Sequence, residues 1–231
     1  MGKLGDAFVD NSKWKHKTLV TVALTFLTSS QAILIAWSRR AGKYDYSGTT
    51  ANFLVEALKC VLSLLALAKI WNTDGVTEDN RVGTTLDEVK VYPIPAALYL
   101  VKNLLQAIIK KRPSRNINVQ NFWLYVFGMV FNVAAIFIQG FDVVLNKGFF
   151  HGYSLITTCM IINHALSGIA VSMVMKYADN IVKVYSTSVA MLFTAVVSVF
   201  LFGYHLSLAF FLGTMVVSVS IYLHSIGKIQ R

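Results

Sequence analysis

Charged residues and cysteines are scarce in this chain. Only 14% of its 231 residues are Asp, Glu, Lys or Arg, whereas a soluble domain averages about 25% because its surface faces water. This shortage argues against a soluble enzyme and against a disordered tail. The two cysteines, Cys60 and Cys159, lie in apolar stretches without CxxC spacing, which argues against a disulfide framework and against a zinc site.

Long apolar runs are abundant. Hydrophobic residues make up 55% of the sequence, and they fall into runs of about 20, the length of helix that crosses about 30 Å of hydrocarbon. The runs are continuous rather than alternating, which predicts helices and not a barrel. Their approximate limits are 18–37, 53–71, 122–141, 153–175, 181–203 and 205–225. The sequence therefore predicts an all-α, polytopic membrane helix bundle with about six spans. Its net charge of +10 then reflects the positive-inside bias and not nucleic-acid binding.

The segment 93–109 is ambiguous, because it is short for a span and contains Lys102, Asn103 and Gln106. If it does not cross, most Lys and Arg residues outside the spans lie on the cytosolic side; if it crosses, the majority lie on the other side. The positive-inside rule favours the first arrangement. We therefore expect one short re-entrant or interfacial segment and cytosolic termini. The expected divisions are tail 1–17, membrane domain 18–225 with polar loop 72–92 and basic connector 110–121, and tail 226–231.

Polar or small residues form a stripe on one face of each of four segments. The stripes are Asn52, Glu56, Lys59 and Ser63; Tyr99, Lys102, Asn103 and Gln106; Asn121, Tyr125, Gly128, Asn132 and Gln139; and Lys183, Ser186, Ala190, Thr194 and Ser198. Ionisable groups in hydrocarbon are costly unless they face protein or water. Four such stripes are therefore typical of a transporter or channel with a wet cavity.

Each stripe also has a purely structural interpretation. The small residues from Ser186 to Ser198 suit close helix packing, and Glu56 and Lys59 are spaced to neutralise each other on their own helix. Lys176 is placed to reach the headgroups, and His164 suits a hydrogen-bonded packing position. The sequence leaves these alternatives open beside the cavity.

The charges predict what such a cavity would hold. The candidate cations Lys59, Lys102 and Lys183 outnumber the one acid, Glu56, which favours an anionic substrate and disfavours a cation channel. Lysines bind phosphate as point charges, an Asn amide can read a base edge, and Tyr can stack on a ring. We find no nucleophile paired with a base, no metal-ligand cluster and no phosphate-binding glycine loop. We therefore expect no enzyme, no metal and no cofactor.

Five motifs lie on these stripes and in the nearby loops. They are Val55-Glu-Ala-Leu-Lys59, Tyr99-Leu-Val-Lys-Asn103, Asn121-Phe-Trp-Leu-Tyr125, Asn146-Lys-Gly-Phe-Phe-His-Gly152 and Lys176-Tyr-Ala-Asp-Asn-Ile-Val-Lys183. Together they resemble the nucleotide-sugar transporter family, and within it the CMP-sialic acid transporter subgroup. The resemblance implies a multi-pass Golgi membrane protein of the drug/metabolite transporter type, with the ER membrane as the alternative location. It implies antiport of CMP-sialic acid or a related nucleotide sugar into the lumen against CMP.

The resemblance also assigns site residues. It places Lys59 and Lys183 at the phosphate, Asn103 and Asn121 at the base, and Tyr99 and Tyr125 against base and ribose. The implied partners are a nucleotide sugar, a nucleoside monophosphate and the lipid bilayer, and nucleic acid is not among them. Self-association or association with a relative stays open.

One departure from the family is large. Members normally have ten spans in two similar halves, whereas this chain has room for six and a fragment. What looks like the third helix, ending near Gln106, continues into what looks like the end of the sixth from Ala107. The chain is therefore interpreted as an internally shortened member. The alternative to transport is a transport-inactive membrane subunit that associates with a full-length transporter and modulates it.

Overall fold

The computed structural model is built almost entirely of helices. It describes residues 2–40, 43–83, 89, 116–177, 180–203, 205 and 207–229. The helices are α1 Gly2–Trp37, α2 Gly48–Asp74, α3 Ile117–Ala135, α4 Phe141–Lys147, α5 Leu155–Tyr177, α6 Asn180–Phe202 and α7 Leu208–Ile229. A π-helical turn, Ile136–Gly140, joins α3 to α4, and the two-residue strands β1 Arg39–Arg40 and β2 Lys43–Tyr44 pair antiparallel. The all-α prediction is confirmed.

Four of the described helices are long and apolar enough to cross a membrane. The four stretches are Lys15–Trp37, Ile117–Gln139, Leu155–Tyr177 and Val182–Phe202. The predicted span 53–71 lies within α2, and the predicted span 205–225 begins three residues before α7. The shorter apolar stretch found in α7 runs from Phe210 to Ser220. Helix α1 begins at Gly2, well before the predicted start of its span at residue 18. The chain is a multi-pass helical membrane protein.

The chain divides into two compact units, Met1–Ala36 with Met173–Arg231, and Trp37–Ser172. In the first unit α1 packs on α6 through small residues. The hydroxyl of Thr25 donates to the carbonyl of Ser186, and that of Thr194 donates to the carbonyl of Ser29, both at 3.4 Å. Ser186 and Ala190 are buried. This part of the small-residue stripe therefore serves helix packing, the structural interpretation left open above.

In the second unit the loop that follows α2 is fastened to the start of α3. The indole of Trp71 donates to the carbonyl of Asn80 at 2.9 Å, and that of Trp123 donates to the carbonyl of Val82 at 3.3 Å. The backbone N–H of Asn116 donates to the carbonyl of Asp79 at 3.2 Å. The chain thus leaves α2 and enters α3 at the same end of the helix pair. The non-crossing prediction for 93–109 requires this arrangement, although the segment itself lies outside the described residues.

The opposite end of this unit joins the α1–α2 turn to the loop before α5. Gly148 and Gly152 lie in that loop with φ of 88° and 75°, and a Cβ on Gly152 would overlap the carbonyl oxygen of Asp45. The hydroxyls of Thr50 and Tyr153 are hydrogen-bonded at 3.0 Å. Glycine at 152 is therefore required twice, for its left-handed backbone and for the close approach of Asp45.

Candidate functional site

A partly buried ion pair on α2 is the centre of the candidate site. Glu56 and Lys59 are three residues apart, so they lie on one face of the helix. The Lys59 Nζ donates to the Glu56 Oε1 at 2.8 Å, and the two side chains are 3% and 14% exposed. The pairing suggested by the spacing is therefore present.

Helix α3 places an amide and an aromatic ring beside this pair. Asn116 caps the helix, because its side-chain oxygen accepts from the N–H of Asn118 at 3.0 Å. Asn121 and Tyr125 follow four residues apart on one face, and both are buried. The Lys59 Nζ lies 5.2 Å from the centroid of the Tyr125 ring, within the range of a cation–π interaction.

Helix α5 closes the group with two small residues four positions apart. A Cβ on Gly168 would lie 2.7 Å from the Cε of Lys59, so glycine lets the lysine stem approach the α5 backbone. The Ser172 hydroxyl donates to the Asn121 Oδ1 at 3.0 Å. Other hydroxyls donate to their own helix, as Thr73 of α2 does to the carbonyl of Lys69 at 3.1 Å. Ser172 instead connects α5 to α3.

We call this group the polar cluster. Its members are Glu56, Lys59, Asn121, Tyr125, Gly128, Gly168 and Ser172. The structure thus brings together three of the six predicted site residues, Lys59, Asn121 and Tyr125. Gly168 and Ser172 were missed, and the signal that could have found them is a pair of small residues at helical spacing in an apolar span.

The other three predicted site residues are not part of this described group. Tyr99 and Asn103 lie outside the described residues. Lys183 lies in the first turn of α6, in the other compact unit. The polar cluster by itself offers a cation, an aromatic face and a hydrogen-bonding amide, which are the groups that an anionic, aromatic solute needs.

A multi-pass helix bundle with ionisable side chains between its helices is typical of membrane transport proteins. The chain belongs to the nucleotide-sugar transporter family, whose model matches residues 107–225. It is 56% identical to CMP-sialic acid transporter 2 of Oryza sativa subsp. indica over 95% of the chain and 86% of that protein. It is 56% identical to CMP-sialic acid transporter 4 of Arabidopsis thaliana over 100% of the chain and 90% of that protein. It is also 35% identical to the UDP-galactose translocator of Mus musculus, over 52% of the chain and 31% of that protein.

The alignments also carry information on the shortening. The alignment with the Arabidopsis protein runs over 318 positions and so exceeds the 231 residues of this chain by 87. At least that many positions of the relative therefore face a gap in this chain. The family match begins at Ala107, the residue at which the sequence indicates the junction between a third and a sixth helix.

Proposed function

We propose that the chain is a nucleotide-sugar antiporter of the Golgi membrane, which brings CMP-sialic acid or a related nucleotide sugar into the lumen and returns CMP. The observation that carries the proposal is the polar cluster itself. It places the Lys59 Nζ 5.2 Å from the centroid of the Tyr125 ring in a protein of the nucleotide-sugar transporter family. The names of the plant relatives favour a cytidine nucleotide.

Each side chain has a role that suits its chemistry. Lys59 and Lys183 bind the phosphate, to which an ammonium is attracted as a point charge. Tyr99 and Tyr125 contact base and ribose, and Asn103 and Asn121 read the base. The proposal needs no metal and no cofactor, and it assigns no catalytic residue.

The Ser172 contact supports cytosine as the base. Because the Asn121 Oδ1 accepts from Ser172, the amide offers its Nδ2 hydrogens to the base. Two neighbouring ring-edge atoms of cytosine, O2 and N3, are acceptors, whereas N3 of uracil carries a hydrogen. An amide that donates hydrogen bonds therefore suits the edge of cytosine better than the edge of uracil.

A second function is favoured by the shortening. Alternating access by movement of one repeat against the other needs both repeats, and at least 87 aligned positions of the Arabidopsis relative have no counterpart here. In this second proposal the chain is a transport-inactive subunit that binds a full-length transporter and modulates it.

Two lysines on α2 offer a matched test of the site. Lys59 is buried, whereas Lys69, which lies further along the same helix, is exposed. In liposomes preloaded with CMP, we expect Lys59→Met to abolish uptake of labelled CMP-sialic acid and Lys69→Met to leave it unchanged. Equal uptake by both variants would remove Lys59 from the site.

A further inference from the structure

The proposed phosphate ligand Lys59 is already engaged by a carboxylate. Its Nζ lies 2.8 Å from the Oε1 of Glu56, the distance of a strong charge-assisted hydrogen bond. An ammonium group has three hydrogens, so the bond to Glu56 alone does not block a phosphate oxygen. The Glu56 carboxylate does neutralise the positive charge that would attract a phosphate to Lys59.

Burial gives this neutralisation its strength. The Lys59 side chain is 3% exposed, and an ammonium buried without a counter-charge is strongly destabilising. The Glu56 carboxylate supplies that counter-charge when no nucleotide is present. Within the described part of the cluster, Glu56 is the sole acidic side chain.

The neighbouring backbone is shaped to hold the pair as a unit. A Cβ on Gly128 of α3 would lie 3.0 Å from the Oε2 of Glu56, and a Cβ on Gly168 of α5 would lie 2.7 Å from the Cε of Lys59. Each charged side chain therefore lies against a glycine of a different helix. Tyr125 adds its ring to the Lys59 side of the pair.

We propose that Glu56 is an internal competitor for the substrate phosphate. Its carboxylate holds Lys59 while no nucleotide is bound, and the phosphate displaces it. Glu56 is thus a positioning residue that acts through Lys59, and it keeps nucleotide affinity low enough for release on the far side of the membrane. The inference rests on the proposed function, since it assumes that Lys59 binds phosphate.

The test compares CMP with cytidine, which lacks the phosphate, in calorimetric titrations of the purified full chain. In Glu56→Gln we expect CMP to bind about five- to tenfold more tightly, because the ammonium loses its competitor. We expect cytidine affinity to stay unchanged. Glu78→Gln, at an exposed position on the loop after α2, is the matched control and should change neither affinity.

A double-mutant cycle shows whether Glu56 acts through Lys59. In a Lys59→Met background, Glu56→Gln should no longer tighten CMP binding. A gain that persists there would mean simple repulsion between Glu56 and the phosphate, and it would contradict the proposal. If Glu56→Gln does not fold, Glu56→Asp, which shortens the reach to Lys59, should give a smaller gain for CMP alone.

The remaining outcomes separate the two claims. If the wild-type chain binds CMP but Glu56→Gln changes CMP and cytidine equally, the competitor role is wrong and the proposed function stands. If the wild-type chain binds neither compound, the proposed function fails and the inference fails with it.

Discussion

Gly168 makes room for a buried charge although it contributes no functional group. Its Cβ position lies 2.7 Å from the Cε of Lys59, closer than carbon atoms approach without a shift. Protein interiors are close-packed and accommodate added volume poorly. The position of the Lys59 ammonium beside Glu56 therefore depends on the absence of a side chain on α5.

This dependence predicts opposite effects for one substitution at two helical glycines. Gly168→Ala should lower thermal stability, because overpacking at Lys59 costs about 1–3 kcal/mol, and it should weaken CMP binding. Gly213→Ala is the control, because nothing lies within 4 Å of its Cβ position in α7. There alanine should be neutral or stabilising by up to about 1 kcal/mol. Thermal unfolding in detergent measures both, and equal melting temperatures would contradict the contact.

The residue types at the site could be predicted better than their partners. The sequence indicates Lys59, Asn121 and Tyr125 because charged, amide and phenolic side chains stand out in apolar spans. It does not indicate that Ser172 bonds to Asn121, because serine usually bonds within its own helix. The helical spacing fixes the Glu56–Lys59 pair, which is local, whereas contacts with α3 and α5 depend on tertiary packing.

Among the connecting elements, the loop before α5 is fixed by a backbone contact. Gly148 and Gly152 both have positive φ, but they differ in surroundings. Nothing lies within 4 Å of the Cβ position of Gly148, whereas that of Gly152 overlaps the Asp45 carbonyl. The loop therefore has one position that is restricted only by its backbone angles and one that is also restricted by the α1–α2 turn.

The two loop glycines give a matched pair of variants. Gly148→Ala should cost about 1–2 kcal/mol for its left-handed backbone alone. Gly152→Ala should cost clearly more, because Asp45 must also move away. The melting temperatures of the two variants in detergent test this difference. Equal losses would show that the Asp45 contact does not hold the loop.

Elements were predictable where a pattern is long and local. The runs of apolar residues predict the helices, since each helix satisfies its own backbone in lipid, and charge counting predicts that α2 and α3 share one end for their connection. The start of α1 at Gly2 was not predicted, because hydropathy marks where a span begins and not where a helix begins. The indole bonds of Trp71 and Trp123 to the loop leave no pattern in the sequence.

For the whole molecule, the central question is what the shortened chain retains. The unit Trp37–Ser172 contains the polar cluster. At one end of this unit the loop after α2 is fastened to the start of α3, and at the other end the α1–α2 turn meets the loop before α5. Every member of the cluster is a described residue outside the stretch 84–115. The shortened chain therefore retains the cluster, which is why we favour transport over the inactive-subunit alternative.

The most direct test of this account is exchange by the shortened chain alone. Purified chain in liposomes loaded with CMP should take up labelled CMP-sialic acid, whereas the same liposomes without internal CMP should not, because antiport requires the counter-substrate. The full-length relative from Arabidopsis, reconstituted in the same way, serves as the reference preparation. No CMP-dependent uptake by the shortened chain, with the reference active, would contradict the transport claim and leave the inactive-subunit function.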